Sequence, residues 1–362
     1  MAAIDPWRVP WPDRFGAFWM RTWPDLGPWL AGLETRAIAA SESLPAVKAP
    51  VFIGGLARSG STILLEQLAR LPGFASHRYA DFPMLWTPYW WGRLLDRLPK
   101  SNAIPVERAH RDRILVTRES PEAFEEPLWE HFFPASGRAT DVLDANCSNP
   151  GFEVCFRDHM AKLLLARGAT RYLSKGNYNS LRIGYLAKLF PDARFLVPIR
   201  SPLAHVASLM RQDDLYQSAP SATLQQIAAR GHHEFGPAKR ALRARAGHAL
   251  IAPARADSHY WLQQWLLVYR HVLTLKTTSA LNKQIEFVPY EAMAAAPQAG
   301  FARIAAFLSL TPGSALDQAM VAAAAAFSGS ERQAPANMFA PAHQALVDEA
   351  DSLFSDCCNV AI

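Results

Sequence analysis

The sequence contains little cysteine and little charge for its length. Only 4 of its 362 residues are cysteine, and no Cys-x-x-Cys or histidine-rich spacing accompanies them. This scarcity excludes a disulfide framework and a zinc cage, and we expect the thiols to be reduced. Charged residues make up 19% of the chain and hydrophobic residues 50%, which excludes a disordered chain and a coiled coil. The chain is long enough to bury a large core.

Long apolar runs and basic stripes are also missing. The longest apolar run, residues 319–327, falls short of the ~20 residues that a membrane span needs. The first twenty residues carry Asp5 and Arg8 and lack the apolar segment of a signal peptide. We therefore expect no membrane span and a cytoplasmic location. The net charge of +5 suits an anionic substrate but is too small and too scattered to indicate nucleic acid.

Short apolar runs alternate with helical patterns along the chain. The four runs are residues 51–55, 171–175, 194–200 and 285–291, and helical patterns follow each of them at 62–71, 180–190, 205–212 and 301–310. Uninterrupted apolar strands joined by helices predict buried parallel strands in a doubly wound α/β sheet flanked by helices. Because one sheet uses all four runs, we predict a single α/β domain over 49–362. The Trp- and Pro-rich residues 1–48 are predicted to form a helical N-terminal extension.

A glycine turn follows the first predicted strand. Residues 55–62 fit the P-loop pattern G-x-x-x-x-G-K-[ST], except that Ser61 replaces the lysine. Backbone N–H groups and a helix N-terminus converge at such a turn, which suits a bound phosphate or sulfate. Arg58, which lies within the turn, supplies a positive charge in place of the missing lysine. The strand 194–200 ends in Arg200 and not in the aspartate that would hold Mg²⁺, so we expect metal-free chemistry.

A second motif lies at the end of that strand. Arg200 is followed eight residues later by Ser208 in the next predicted helix, and both positions suit the rim where open α/β sheets bind ligands. Together the two motifs resemble the co-substrate signatures of sulfotransferases that use 3′-phosphoadenosine 5′-phosphosulfate (PAPS). The arginine within RSGST is more similar to the bacterial and tyrosylprotein branches than to the cytosolic branch.

The resemblance implies a P-loop-type fold, PAPS as co-substrate, no metal and a hydroxyl acceptor. It implies that Arg200 and Ser208 hold the 3′-phosphate. The residues that it assigns to the 5′-phosphosulfate are Arg58, Ser59, Gly60, Ser61 and Thr62. In the tyrosylprotein branch a lysine similar to Lys175 stabilises the transition state, so the resemblance implies a catalytic role for Lys175. We expect a catalytic role for Arg58 as well. The cytosolic branch has its catalytic histidine where this chain has Asn177.

Another residue must therefore accept the acceptor's proton. Asp81 lies about where the tyrosylprotein branch carries its glutamate base, and it is the first candidate, with an ordinary turn aspartate as the alternative reading. His110 and the run 232–234 (His-His-Glu) are further candidates. Glu125 and Glu126 indicate the acidic first turn of a helix and not a base.

The sequence does not identify the acceptor, and it leaves other interpretations of several segments open. Trp86, Tyr89 and Trp90 have helical spacing, which indicates core packing or an apolar wall for an acceptor. A small molecule, a lipid or a peptide hydroxyl would each be compatible. The basic segment 235–256 predicts a solvated, mobile loop or helix, or a lid over an anionic ligand. Two other functions fit the glycine turn: a P-loop kinase or NTPase, and a non-catalytic nucleotide-binding module. The oligomeric state is not predicted.

Overall fold

The computed structural model describes most of the chain. The described residues are 14, 16, 18, 22–82, 84–98, 104–108, 114–134, 141–243, 252–253, 255–327, 335 and 338–361. In chain order the strands are β1 (Val51–Ile53), β2 (Phe74–Ala75), β3 (Val106–Glu107), β4 (Leu115–Val116), β5 (Arg171–Lys175), β6 (Arg194–Ile199) and β7 (Ile285–Pro289). A parallel sheet has the order β2-β5-β1-β6-β7, and β3 pairs with β4 in an antiparallel ribbon.

Helices connect these strands. In chain order they are α1 (Leu26–Ala39), α2 (Ser61–Leu68), α3 (Pro88–Arg97), α4 (Glu126–Phe132), α5 (Pro150–Arg167), α6 (Asn179–Leu189), α7 (Pro202–Gln217), α8 (Ser221–Ala229), α9 (Ser258–Thr278), α10 (Tyr290–Ala295), α11 (Pro297–Phe307), α12 (Ser314–Ala326) and α13 (Gln344–Asn359). In the described part of the chain, no helix is long and apolar enough to cross a membrane.

The sheet is covered on both faces, which explains why its strands are apolar without interruption. Side chains alternate across a strand, and in β1 Phe52 joins one buried cluster while Val51 and Ile53 join the other. The Phe52 cluster includes residues of α5, α6 and α9, and the opposite cluster includes residues of α2, α11 and α12. The prediction of a doubly wound parallel sheet is confirmed. The sequence pattern missed β2, a two-residue edge strand.

The helix α1 packs against α5. A buried ion pair joins them, with Lys162 Nζ 3.0 Å from Glu34 Oε2. The same ammonium donates to the carbonyl of Ala31 at 3.0 Å. Burial raises the pKa of Glu34, and the nearby Lys162 charge opposes that rise. The predicted division at residue 48 stays a prediction; within the described part of the extension, the helix Leu26–Ala39 is followed by irregular backbone up to residue 48.

The basic segment is attached to the body by ion pairs. Lys239 lies 3.1 Å from Asp213, and both side chains are buried. Arg243 Nε lies 2.5 Å from Asp141 Oδ1. Phe235 is buried in the core as well. Residues 235–243 are therefore packed and ion-paired and are not a solvated loop. Phe235 also lines the cavity described below, and the role of the whole segment 235–256 stays a prediction.

Candidate functional site

A cavity of about 590 Å³ opens where three central strands end. The turn after β1, the end of β5 and the residue after β6 all reach it, because the carboxyl ends of parallel strands share one edge of the sheet. Its lining includes Arg58, Gly60, Lys175 and Arg200. The two motifs recognised in the sequence thus share one cavity.

The turn between β1 and α2 has an unusual backbone. Gly55 and Gly60 have φ of 98° and 101°, values that residues with a side chain rarely adopt. Arg58 also has a positive φ, 72°, which is uncommon for a residue with a Cβ and typical of functional turns. Gly60 caps α2, whose first N–H groups have no partner within the helix. Together the turn and helix form a cradle of donors suited to an anion.

Contacts from distant segments hold the turn in place. Ser180 Oγ accepts from the N–H of Gly55 at 2.5 Å. The Nε2 of His205 lies 2.8 Å from the carbonyl oxygen of Ala57. Burial lowers the pKa of His205 to about 3, so the ring is neutral and its Nε2 must carry the hydrogen donated to that carbonyl. The helices α6 and α7 therefore fix the turn in its strained conformation.

The second motif contacts the first directly. Arg58 Nε donates to Ser208 Oγ at 3.4 Å, across 150 residues of sequence. Arg200 stacks over the ring of Tyr290, with its guanidinium carbon 5.1 Å from the ring centroid. Glu291 accepts from the N–H of Ser201 at 2.9 Å. The start of α10 thus holds the end of β6 next to the turn.

A lysine and a glutamate face each other in the cavity. Lys175 Nζ lies 4.0 Å from Glu122 Oε1, and both side chains are almost fully buried. Tyr79 donates its hydroxyl hydrogen to Glu122 Oε2 at 2.5 Å. Burial raises the pKa of Glu122, but the charges of Lys175 and Arg108 outweigh it and lower that pKa to about 2. Glu122 is therefore a carboxylate at neutral pH.

Further side chains complete the lining around this pair. Arg108 lies near the helix start, its Nη1 3.4 Å from Thr62 Oγ1. Burial lowers the pKa of His232, which favours the neutral ring at neutral pH. Asn177 donates to Glu234 at 2.7 Å, and both residues reach the cavity wall. The cavity combines several cations, the ionised carboxylate of Glu122, the side chains of Glu66 and Glu234, and a donor cradle.

A comparison with protein families identifies the family to which the chain belongs. The model of the sulfotransferase family matches residues 50–244, more than half of the chain, and this range contains both motifs and the Lys175–Glu122 pair. The chain belongs to the sulfotransferase family. No curated protein sequence matches it significantly.

Solved sulfotransferases share the fold. The structure of sulfotransferase STF1 from Mycobacterium tuberculosis H37Rv superposes with a TM-score of 0.53 at 15% identity, covering 91% of this chain and 83% of that one. Sulfotransferase STF9 from Mycobacterium avium gives the same TM-score at 13% identity, covering 90% and 80%. The fold of this sulfotransferase is therefore similar to that of bacterial members, as the RSGST turn indicated.

The residues predicted to bind the co-substrate divide into two groups. Those that line the cavity of the sulfotransferase are Arg58, Gly60, Ser61, Thr62 and Arg200. Ser59 and Ser208 are buried outside its described lining, and Ser208 accepts a hydrogen bond from the lining residue Arg58. Both groups come together at one turn.

The candidate bases are placed differently from the prediction. Asp81 lies outside the described lining of the cavity, where its Oδ1 accepts from Arg167 at 2.5 Å and its Oδ2 accepts from the N–H of Arg78 at 2.8 Å. Burial raises the pKa of Asp81, but the hydrogen bond from His77 and the charge of Arg167 outweigh this effect, so the pKa is lowered overall. Asp81 thus serves a short 3₁₀ turn and a buried ion pair. His110 lies outside the described residues.

The other acidic and histidine residues considered as bases lie at different distances from the cavity. His233 lies 2.6 Å from Glu130, away from the described cavity lining, whereas its neighbour His232 lines the cavity. Glu126 opens α4, as predicted, with Glu125 as its N-cap residue. The side chain of Glu126 forms two hydrogen bonds with Arg182, at 2.6 and 2.9 Å.

The aromatic stripe does not reach the cavity. Trp86 is buried and packs edge-on against His131, whereas Trp90 is exposed on α3. The hydroxyl of Tyr89 donates to Glu42 at 2.8 Å. None of the three belongs to the described cavity lining. The prediction of core packing holds for Trp86, and an apolar acceptor wall is not formed here.

Sequence reasoning missed Glu122 and Arg108. Glu122 is one of three glutamates within residues 122–126, and nothing local separates it from its neighbours. The signal that singles it out is tertiary. The N–H of Glu122 donates to the carbonyl of His77 at 3.0 Å, and the N–H of Tyr79 donates to that of Ser120 at 3.1 Å. This pairing of two distant segments turns Glu122 toward Lys175.

Proposed function

We propose that this sulfotransferase transfers the sulfuryl group of PAPS to a hydroxyl acceptor without a metal ion, by in-line displacement with Glu122 as general base. The observation that carries the proposal is the Lys175–Glu122 pair, 4.0 Å apart, in the cavity that also contains the glycine turn and Arg200. PAPS supplies an activated sulfuryl group and a phosphate leaving group. PAPS also carries a 3′-phosphate, which requires a second positively charged group in the binding site.

The cavity suits an anion with two charged ends. At one end, the N–H groups of the turn and of the start of α2 converge beside Arg58. At the other, Arg200 is held by its stacking on Tyr290 and supplies a planar pair of donors. We assign the sulfuryl end to the turn and the 3′-phosphate to Arg200, with Ser208 positioning Arg58.

Glu122 meets the requirements of a base better than Asp81. It is ionised, it lines the cavity, and Tyr79 orients it through a hydrogen bond. Its low pKa results from the cations around it, and an anionic co-substrate offsets those cations, which raises the pKa toward the range of an effective base. Glu122 would accept the proton of the acceptor hydroxyl while Lys175 donates toward the leaving phosphate oxygen.

The cations of the chain can supply the charge that a metal ion supplies elsewhere. A sulfuryl group carries less negative charge than a phosphoryl group, so Arg58, Lys175 and Arg108 at the turn suffice to stabilise its transfer. Among the described residues, no group of three or more metal-ligating side chains is found. Metal independence remains part of the proposal and is tested below.

Transfer of radiolabelled sulfate from [³⁵S]PAPS to a broad panel of hydroxyl acceptors tests the proposal. We expect product with PAPS, unchanged rates in EDTA, and no Mg²⁺-dependent turnover of ATP. Lys175→Ala should lower kcat by a factor on the order of 10². Magnesium-dependent ATP hydrolysis without sulfate transfer would instead support the kinase or NTPase alternative, and binding without any turnover would support a non-catalytic module.

A further inference from the structure

A second cavity of about 410 Å³ lies beside the first. The two share three lining residues, Glu66 and Arg70 on or just after α2, and Leu115 in β4. The two cavities are therefore adjacent, and the side chains of these residues separate or join them. The residues that line this side cavity alone include members of the segments 74–78 and 117–121, and Arg167.

The side cavity ends next to the proposed base. Ser120 and Pro121 form part of its wall, and the next residue along the chain is Glu122. The backbone pairing of Tyr79 with Ser120 fixes this wall at its position. A hydroxyl group of a molecule bound here would thus lie near the segment that carries Glu122, whose side chain lines the first cavity.

Three guanidinium groups line the side cavity. Arg167 is buried and fixed by Asp81 at 2.5 Å, so its position is set by the protein. Arg78 pairs with Glu119 at 2.6 Å, and both side chains are substantially exposed. Arg70 is exposed and donates to Gln67 at 3.2 Å. Exposed pairs of this kind contribute little stability, and they can exchange partners for a bound anion.

The remaining lining is mixed, with more polar than apolar groups at its surface. Carboxylates come from Glu66 and Glu119, and apolar side chains from Ala69, Ala75, Leu115 and Pro121. Hydroxyl groups come from Ser76, Thr117 and Ser120, and the aromatic stripe of α3 contributes nothing to the described lining. Phe74 is the aromatic residue there, and Arg171 stacks on its ring at 5.5 Å. This chemistry favours a polar, charged molecule over a lipid or a simple phenol.

We propose that the side cavity binds the acceptor, and that the acceptor is a hydrophilic alcohol bearing a carboxylate or phosphate group. Arg70 and Arg78 are its specificity-determining residues, because guanidinium groups bind both anions through paired hydrogen bonds. The identification of the bound molecule as acceptor rests on the proposed function. The anion selectivity of the cavity does not, and it can be measured separately.

Calorimetry with three ligands of the same body tests this inference. The ligands are p-nitrophenyl β-D-glucuronide, p-nitrophenyl β-D-glucoside 6-phosphate and uncharged p-nitrophenyl β-D-glucoside. Each is titrated into the full-length protein, free and saturated with adenosine 3′,5′-bisphosphate. We expect one or both anionic ligands to bind at least about ten-fold more tightly than the glucoside. The double variant Arg70→Gln/Arg78→Gln should remove that preference, whereas Arg255→Gln, an exposed arginine paired with Asp214, should keep it.

Each outcome bears on a different statement. Equal binding of the three ligands, no binding, or a preference that survives in the double variant with an unchanged Tm would overturn the inference. A preference that is present in the free protein, while the bisphosphate itself fails to bind, would support the anion site and contradict the proposed co-substrate. Sulfate transfer to the preferred ligand would establish it as an acceptor.

Discussion

At the scale of single residues, we assign different roles to two carboxylates with lowered pKa because of what surrounds them. Glu122 faces Lys175 across the cavity and keeps one side toward the space where a substrate binds. Asp81 has its oxygens occupied by Arg167 and the backbone of Arg78, and it lies outside the described lining. Position in the cavity therefore distinguishes a base from a structural ion pair where charge alone does not.

Replacement of Glu122 by glutamine should abolish most catalysis. The amide keeps the shape and still accepts from Tyr79, but it cannot take up the acceptor's proton. We expect kcat to fall by a factor on the order of 10² or more with little change in the KM for PAPS. The exposed Glu349, paired with Arg270, provides the matched control Glu349→Gln. Full activity in Glu122→Gln would refute the assignment of the base.

Replacement of Asp81 by asparagine should act on stability. Removing one partner of a buried pair leaves the Arg167 guanidinium uncompensated, at a cost of about 3–5 kcal/mol. Because the pKa of Asp81 is lower in the folded state, its stabilisation is present above its ordinary pKa and is lost as the pH falls through the folded value. Thermal unfolding of both proteins at pH 7 and near pH 3 measures this.

We expect a large difference in Tm at pH 7 and a smaller one in acid. The folded variant should retain kcat within a few-fold, since Asp81 lies outside the described lining of both cavities and affects the side cavity only through Arg167. A normal Tm combined with a loss of kcat would return Asp81 to the role of base that its sequence position indicates.

At the scale of elements, we assign the binding of the anion to the turn between β1 and α2. Its backbone is strained at Arg58 and requires glycine at positions 55 and 60. A Cβ at Gly60 would also lie 2.8 Å from Cδ2 of Tyr290, the residue on which Arg200 stacks. The turn and the second motif therefore depend on each other for their geometry.

Gly60→Ala should impair binding through this dependence. We expect the affinity for adenosine 3′,5′-bisphosphate to fall at least about ten-fold, because a positive φ and a close contact are both violated. Gly168→Ala is the matched control, since Gly168 also has a positive φ but open space around it. It should lower Tm with no effect on calorimetric binding. Equal losses of binding in both variants would show that general destabilisation is the cause.

The elements also show how far sequence reasoning extends. Strands that end in Lys175 and Arg200, and a glycine turn after the first strand, could be located because apolar runs and turn residues are local signals. The pairing of the segment around Tyr79 with the one around Ser120 has no local signal, so Glu122 could not be chosen over its neighbours. The same holds for Arg108, next to the ribbon of β3 and β4.

At the scale of the whole molecule, the order of the strands assembles the site. Placing β1 between β5 and β6 puts Lys175 and Arg200 on either side of the glycine turn. Helices on both faces bury the strands and leave the carboxyl edge as the place where polar groups meet. The sequence predicts the doubly wound fold, which follows from alternating strands and helices, but it does not predict the order of the strands.

Comparison of two nucleotides tests the central claim most directly. Adenosine 3′,5′-bisphosphate and 5′-AMP differ only in the 3′-phosphate that we assign to Arg200. By calorimetry we expect the bisphosphate to bind at least about a hundred-fold more tightly than AMP, and Arg200→Ala to remove most of that difference. Equal affinity of the wild-type protein for the two nucleotides would contradict the account.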